Sequence, residues 1–147
     1  MEYRELKGYK YELMAAIKIK IELPDTTLLN NAINPYIRLR NGVLTIKKHY
    51  CWDGSSVPFK KYVPKWLWDS DKSCKTASLT HDALCQLMRE DLLSKKYKRY
   101  IDNLYKTMAI EGGMGKWQAN TRNWFLRKFG DKGIQKEENP RGKIRVT

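Results

Sequence analysis

The sequence lacks any long apolar run. No stretch approaches the roughly 20 residues that a helix needs to cross a bilayer. The first residues, Met1–Lys7, contain no apolar segment of the kind found in secretory signal peptides. We therefore expect a protein without a membrane span or a signal peptide, synthesised in the cytoplasm.

Cysteine and histidine are both scarce. Cys51, Cys74 and Cys85 lack the even number and the density of a secreted disulfide scaffold, which favours a reducing compartment. No cysteine pair has CxxC spacing, and His49 is the only histidine besides His81, which argues against a structural zinc site. Cys85 follows His81 by four residues and can share its ligands, although a buried cysteine more often acts as a small apolar side chain.

Several familiar motifs are also absent. The chain has no Walker motif, dinucleotide glycine fingerprint, HExxH motif or internal repeat. These absences exclude the common nucleotide-binding sites and the common zinc-protease site.

Acidic residues are few, with 16 Asp and Glu against 29 Lys and Arg and a formal charge of +13. This charge favours contact with nucleic acid, anionic envelope polymers or an acidic partner protein. The basic residues are scattered from Arg4 to Arg145, which indicates a general surface property.

The composition is that of a folded protein. Hydrophobic residues at 41% and aromatic residues at 12% are too abundant for a disordered chain. A length of 147 residues suits one core. We predict a single domain over residues 1–130, followed by a basic C-terminal tail over residues 131–147.

The N-terminal part shows the period-two alternation of strands. Residues 17–23 strictly alternate apolar and charged side chains, and residues 36–40 and 43–47 form two further alternating runs. The last two runs are joined by Asn41 and Gly42, which tolerate the positive φ angles of a type I′ turn. The pattern predicts a β-hairpin within an antiparallel sheet of three or four strands.

The second half of the chain changes to helical periodicity. Apolar spacings of three and four predict helices over residues 75–90, 93–111 and 116–129. Trp117 and Trp124 of the third helix are expected to cap the core. The fold class is therefore α+β, with an N-terminal antiparallel sheet that contains an Asn-Gly hairpin, followed by about three packed helices.

The dipeptide His81-Asp82 is the strongest candidate for chemistry. A helix places His81 on an inward side, with Asp82 about 100° round the axis. The imidazole can be a base, a metal ligand or one half of a satisfied buried polar pair. The apolar residues that define this inward side are Ala77, Leu84, Leu87 and Met88.

Two further sets of polar residues are candidates to join His81, namely Asp102 and the pair of Asp53 and Ser55. Asp102 lies at the margin of the apolar line of the second helix, where a carboxylate needs a partner. Its candidate partners are His81, Arg89 and Arg99, and a plain salt bridge is the simplest outcome.

The segment Trp52–Pro58 breaks all periodicity and is predicted to be a loop. Within it, Asp53 and Ser55 either form local Asx and Ser turns or face His81.

Three motifs together resemble a family of phage and prophage proteins, the domain of unknown function 1353. They are Trp52–Pro58, Thr80–Cys85 and Tyr100–Tyr105, and they follow the family pattern of a T-D-x-A-S-x-P loop, an H-D-x-L-Y helix and an A-D-x-x-F helix. Cys85 stands where the pattern has Tyr, and Trp52 stands where it has Thr.

The resemblance, which extends to residue 130, implies a polar centre. In it His81 would act as general base on a water molecule, oriented by Asp102. Asp53 and Asp82 would hold a divalent cation such as calcium, and Ser55 would complete the polar set. The order of His, Asp and a later Asp is similar to that of phospholipase A2 enzymes, as an analogy of mechanism.

The same resemblance implies a small bacteriophage protein associated with the virion or with lysis. One hypothesis is a hydrolase that acts on the host envelope. The alternative is a non-catalytic component of the neck, tail or baseplate, in which the same residues form a buried network. Other phage structural proteins would be its partners, and nucleic acid would be attracted by its charge. The protein would be made in the host cytoplasm and would then reside in the virion.

Overall fold

The computed structural model describes Met1 and residues 3–5, 11–21, 32–52 and 71–129. Within these ranges, strands occupy the N-terminal part and helices follow, which confirms the α+β prediction. The strands are β1 (Tyr3–Glu5), β2 (Tyr11–Leu13), β3 (Ile17–Lys20), β4 (Ala32–Ile33), β5 (Ile37–Arg40), β6 (Val43–Ile46) and β7 (Cys51–Trp52). The helices are α1 (Asp71–Arg89), α2 (Lys98–Glu111) and α3 (Lys116–Phe129), with a 3₁₀ turn (Lys95–Tyr97) before α2. None of these helices is both long and apolar enough to cross a membrane.

The described strands divide between two antiparallel sheets. One has the order β3-β6-β5-β4 and contains the predicted β5-β6 hairpin. Asn41 and Gly42 both have positive φ, at 51° and 72°, as the predicted type I′ turn requires. The other sheet has the order β1-β2-β7, because the chain after β6 returns at β7 to pair with β2. The sequence predicted one sheet, since this long-range pairing leaves no local signal.

Alternation along the hairpin explains which face of its sheet is buried. On β5, Ile37 and Leu39 are buried, whereas Arg38 and Arg40 are exposed. The apolar face packs against α1, whose Leu84 is fully buried in the same cluster. Burial of the apolar face therefore fixes the pairing register of β5 and β6, because a slip of one residue would turn that face to solvent.

Helix α1 lies at the centre of the fold. It supplies Leu84 and Leu87 to the cluster shared with the strands, and Cys74 and Ala77 to a second cluster shared with α2 and α3. A helix with neighbours on several sides buries polar residues too, and Thr80 donates to the carbonyl oxygen one turn earlier at 2.8 Å. Residues on α1 are thus placed between the sheet and the other two helices.

Helix α3 has the predicted bounds but presents a different face to the core. Its inward line contains Ala119, Arg122 and Leu126, of which Arg122 is only 2% exposed. Trp117 and Trp124 are 62% and 52% exposed, so the expectation that they cap the core was wrong. The tryptophan face and the inward line both follow spacings of three and four. The inward line is buried because it packs on α2.

Candidate functional site

His81 on α1 and Asp102 on α2 meet at the interface between their helices. The His81 Nε2 atom lies 2.8 Å from Asp102 Oδ1. Of the three predicted partners of Asp102, the structure therefore selects His81. The side chain of Asp102 is 1% exposed and that of His81 is 12% exposed. The pair is a nearly closed polar contact between two helices.

Lys98 completes the coordination of the Asp102 carboxylate. It precedes Asp102 by one helical turn on α2, and its Nζ donates to Asp102 Oδ2 at 2.5 Å. The same ammonium lies 3.4 Å from the carbonyl oxygen of Leu126 on α3. Each carboxylate oxygen thus accepts a hydrogen bond from a different cationic side chain. The resulting His81–Asp102–Lys98 network joins all three helices.

The charge balance sets the protonation of His81. Asp102 bonded to Lys98 is an acceptor, so the nitrogen that faces it, Nε2 of His81, carries a proton. Burial is the largest single influence on the pKa of His81 and lowers it. The electrostatic interaction with Cys85 and the hydrogen bond to Asp102 oppose burial, and together these effects raise the pKa of His81 to about 10. The ring is therefore an imidazolium at neutral pH.

Cys85 and Tyr105 hold the imidazole ring from two sides. The Cys85 Sγ atom lies 3.7 Å from His81 Nδ1 and 3.9 Å from Nε2. A sulfur atom in the ring plane and in line with Nδ1 would be much closer to Nδ1 than to Nε2, so the sulfur lies over the ring. The Tyr105 ring meets the imidazole edge to face, with centroids 5.5 Å apart and planes at 70°. These contacts fix the ring in the orientation that points Nε2 at Asp102.

Tyr105 extends the polar centre towards α3. Its hydroxyl accepts a hydrogen bond from Arg122 Nη1 at 3.1 Å, and the same nitrogen lies 3.5 Å from Cys74 Sγ. Arg122 and Tyr105 are both buried. A second polar connection therefore runs from α2 to α3, and through Cys74 to α1.

Of the other predicted site residues, only Asp82 lies in the part of the chain that the structure describes. Asp82 is partly buried and does not form a metal-binding group with His81 and Asp102. Among the described residues, no group of three or more His, Cys, Asp or Glu side chains can hold a metal ion. Asp53 and Ser55 lie outside the described residues, so the divalent-cation site of Asp53 and Asp82 stays a prediction.

One member of the centre, Lys98, was missed in the sequence, and another, Cys85, was given a different role. Lys98 precedes Asp102 by four residues, the spacing at which a helical lysine and carboxylate pair, so a signal for it was present. Cys85 was noted for its spacing from His81, but only as a ligand or an apolar residue. Its contact with the imidazole ring depends on a rotamer that spacing does not specify.

Comparison of the chain with protein-family models, with curated proteins and with solved structures finds no match in any of the three.

Proposed function

We propose that this chain is a non-catalytic structural component of a bacteriophage particle, in which His81, Asp102 and Lys98 form a buried network that fixes three helices. The observation that carries the proposal is the use of both oxygens of Asp102, which is 1% exposed, by two cations. A carboxylate that accepts from side chains of α1 and α2 in this way ties these helices together, which is the role that the proposal gives it.

The state of His81 argues against its use as a general base on a water molecule. A general base must be neutral at the working pH and must reach the proton that it removes. With a pKa of about 10, the imidazole already carries both protons at neutral pH. Nε2 points at Asp102, and the ring faces contact Cys85 and Tyr105. His81 therefore acts as a buried cation that orders the helices.

Assignment to a phage particle is supported by the resemblance of three sequence motifs. The histidine of the second motif, His81, and the aspartate of the third, Asp102, meet at 2.8 Å. The histidine and aspartate of these two motifs thus form one contact between α1 and α2. The neck, the tail and the baseplate are the parts of a particle in which a small, non-catalytic protein of this kind would be placed.

The second candidate is a hydrolase of the host envelope, and the sulfur contact favours it. The imidazole of His81 contacts Cys85 and Asp102. Thiol hydrolases use the same types of group, with a cysteine as the nucleophile, a histidine as the base and a carboxylate that orients the histidine. For catalysis, Cys85 must rotate so that its sulfur approaches Nδ1 of His81. Substrate must also reach a thiol whose residue is 5% exposed.

Substitution of Cys85 separates the two candidates in a phage that carries the variant protein. We expect Cys85→Ser to give normal numbers of particles with normal infectivity, because serine preserves the approximate size of the side chain and the structural proposal gives Cys85 no catalytic role. Cys51→Ser, at a half-buried cysteine on β7, is the matched control. Normal particle numbers by electron microscopy with a loss of plaques for Cys85→Ser alone would contradict the structural proposal and support the hydrolase.

His81→Gln supplies the complementary measurement. We expect fewer assembled particles, in proportion to the lost stability of the purified variant. Partial recovery at a lower growth temperature would follow from a stability defect. Full particle numbers without infection would instead show that His81 carries chemistry.

A further inference from the structure

Helix α3 exposes two tryptophans on one face. Trp117 and Trp124 are 62% and 52% exposed, although tryptophan is highly buried on average. They are seven residues apart, so they lie about 10 Å apart along the helix axis and within about 20° of each other around it. The two indoles therefore form one elongated aromatic surface.

The charged residues of helix α3 are all basic. Helix α3 contains no Asp or Glu, and its exposed charged residues are Lys116, Arg127 and Lys128. Lys128 Nζ lies 5.9 Å from the centroid of the Trp124 ring. Within a chain of formal charge +13, this face attracts an anionic partner.

The residues between the indoles exclude a continuous apolar strip. Asn120 is exposed, and Thr121 donates from its hydroxyl to the carbonyl oxygen of Trp117 at 2.9 Å. The apolar residues Ala119 and Leu126 belong to the cluster packed against the other helices. A helix that inserts into a membrane surface, or docks in a hydrophobic groove, needs that apolar strip on its exposed side. Flat aromatic rings separated by polar and basic residues suit a ligand that has both flat rings and negative charge.

We propose that this face of α3 binds single-stranded nucleic acid. Bases would stack on Trp117 and Trp124, while Lys116, Arg127 and Lys128 would contact phosphates. The distance between the indoles corresponds to about three nucleotides at roughly 3.4 Å each. Duplex DNA keeps its bases stacked inside and cannot offer them to the indoles, so the face discriminates against it.

Fluorescence anisotropy with the full chain and a dye-labelled oligothymidine of about twelve nucleotides tests this proposal. We expect the single strand to bind more tightly than a duplex of equal length, with an affinity that falls steeply between about 50 and 200 mM salt. Trp117→Ala and Trp124→Ala should each weaken binding roughly 5- to 150-fold. Tyr100→Ala is the control, because Tyr100 is equally exposed on α2, at 52%.

Folding of each variant is checked by its urea midpoint, which should match that of the wild type because both indoles are exposed. Equal affinity for duplex and single strand would overturn the proposal, as would tryptophan variants that bind like Tyr100→Ala. Binding to vesicles of phosphatidylserine and phosphatidylcholine without binding to the oligonucleotide would assign the face to a membrane surface and would also overturn it.

Discussion

Replacing Asp102 with asparagine tests how much the buried network contributes to the fold. Asp102→Asn preserves the shape of the side chain but removes the negative charge between His81 and Lys98. Two cations then face each other at an interface where the side chains of residue 102, Lys98 and His81 are 1%, 9% and 12% exposed. Breaking a buried ion pair from one side typically costs about 3–5 kcal/mol. That is a large part of the roughly 5–15 kcal/mol by which a domain is stable.

Urea unfolding followed by tryptophan fluorescence measures this loss. With a slope of roughly 2 kcal/mol per molar urea, the midpoint for Asp102→Asn should fall by about 2 M. Glu111→Gln is the matched control, because it makes the same chemical change at an exposed position of the same helix. We expect a change of less than about 0.5 kcal/mol for the control. If Asp102→Asn costs no more than Glu111→Gln, the network does not stabilise the helices and the reasoning is refuted.

Two further outcomes follow from the structure. Because the pKa of His81 is raised to about 10 from its ordinary 6.5, its stabilising contribution is complete below about pH 6.5 and is lost as the pH rises through 10. The free energy of unfolding should therefore decline by a few kcal/mol, and by at most about 5 kcal/mol, between these two pH values. The decline should be smaller in His81→Gln. Urea titrations at several pH values measure both. Gly42→Ala should cost about 1–2 kcal/mol, since φ is +72° and the new Cβ would lie 3.2 Å from the carbonyl oxygen of Ile21. Gly115→Ala, where a Cβ would meet nothing within 4 Å, should cost less by thermal unfolding, and equal costs would refute the argument.

Features set by neighbouring residues were predictable from the sequence. Asn41 and Gly42 specify their turn by their own tolerance of positive φ, so the hairpin could be placed before any tertiary contact was known. The pairing of His81 with Asp102 was predictable as one of three alternatives, because helical periodicity put both near a buried face. Selecting it required the angle at which α1 and α2 pack, which periodicity does not contain.

Features set by distant contacts were not predictable. The pairing of β2 with β7 joins segments about 40 residues apart, and each strand is too short to show a pattern. On α3, the face with Trp117 and Trp124 and the face with Arg122 have the same helical spacings. The aromatic residues led to the wrong prediction that the tryptophan face is buried. Arg122 holds the other face inward through the hydroxyl of Tyr105, a contact with another helix. The loop residue Asp53 lies outside the described residues, and its role stays a prediction.

The protonation of His81 is the most direct test of the claim that the polar centre holds the helices together as a fixed ion network. The chain contains only two histidines, so a His49→Gln variant assigns the imidazole signals in a proton–carbon NMR spectrum. We predict that the His81 ring stays doubly protonated from acidic pH through neutrality and loses its proton only near pH 10. A ring that titrates at or below its ordinary value of about 6.5 would contradict a fixed ion network, because a neutral imidazole at neutral pH is a base available for catalysis.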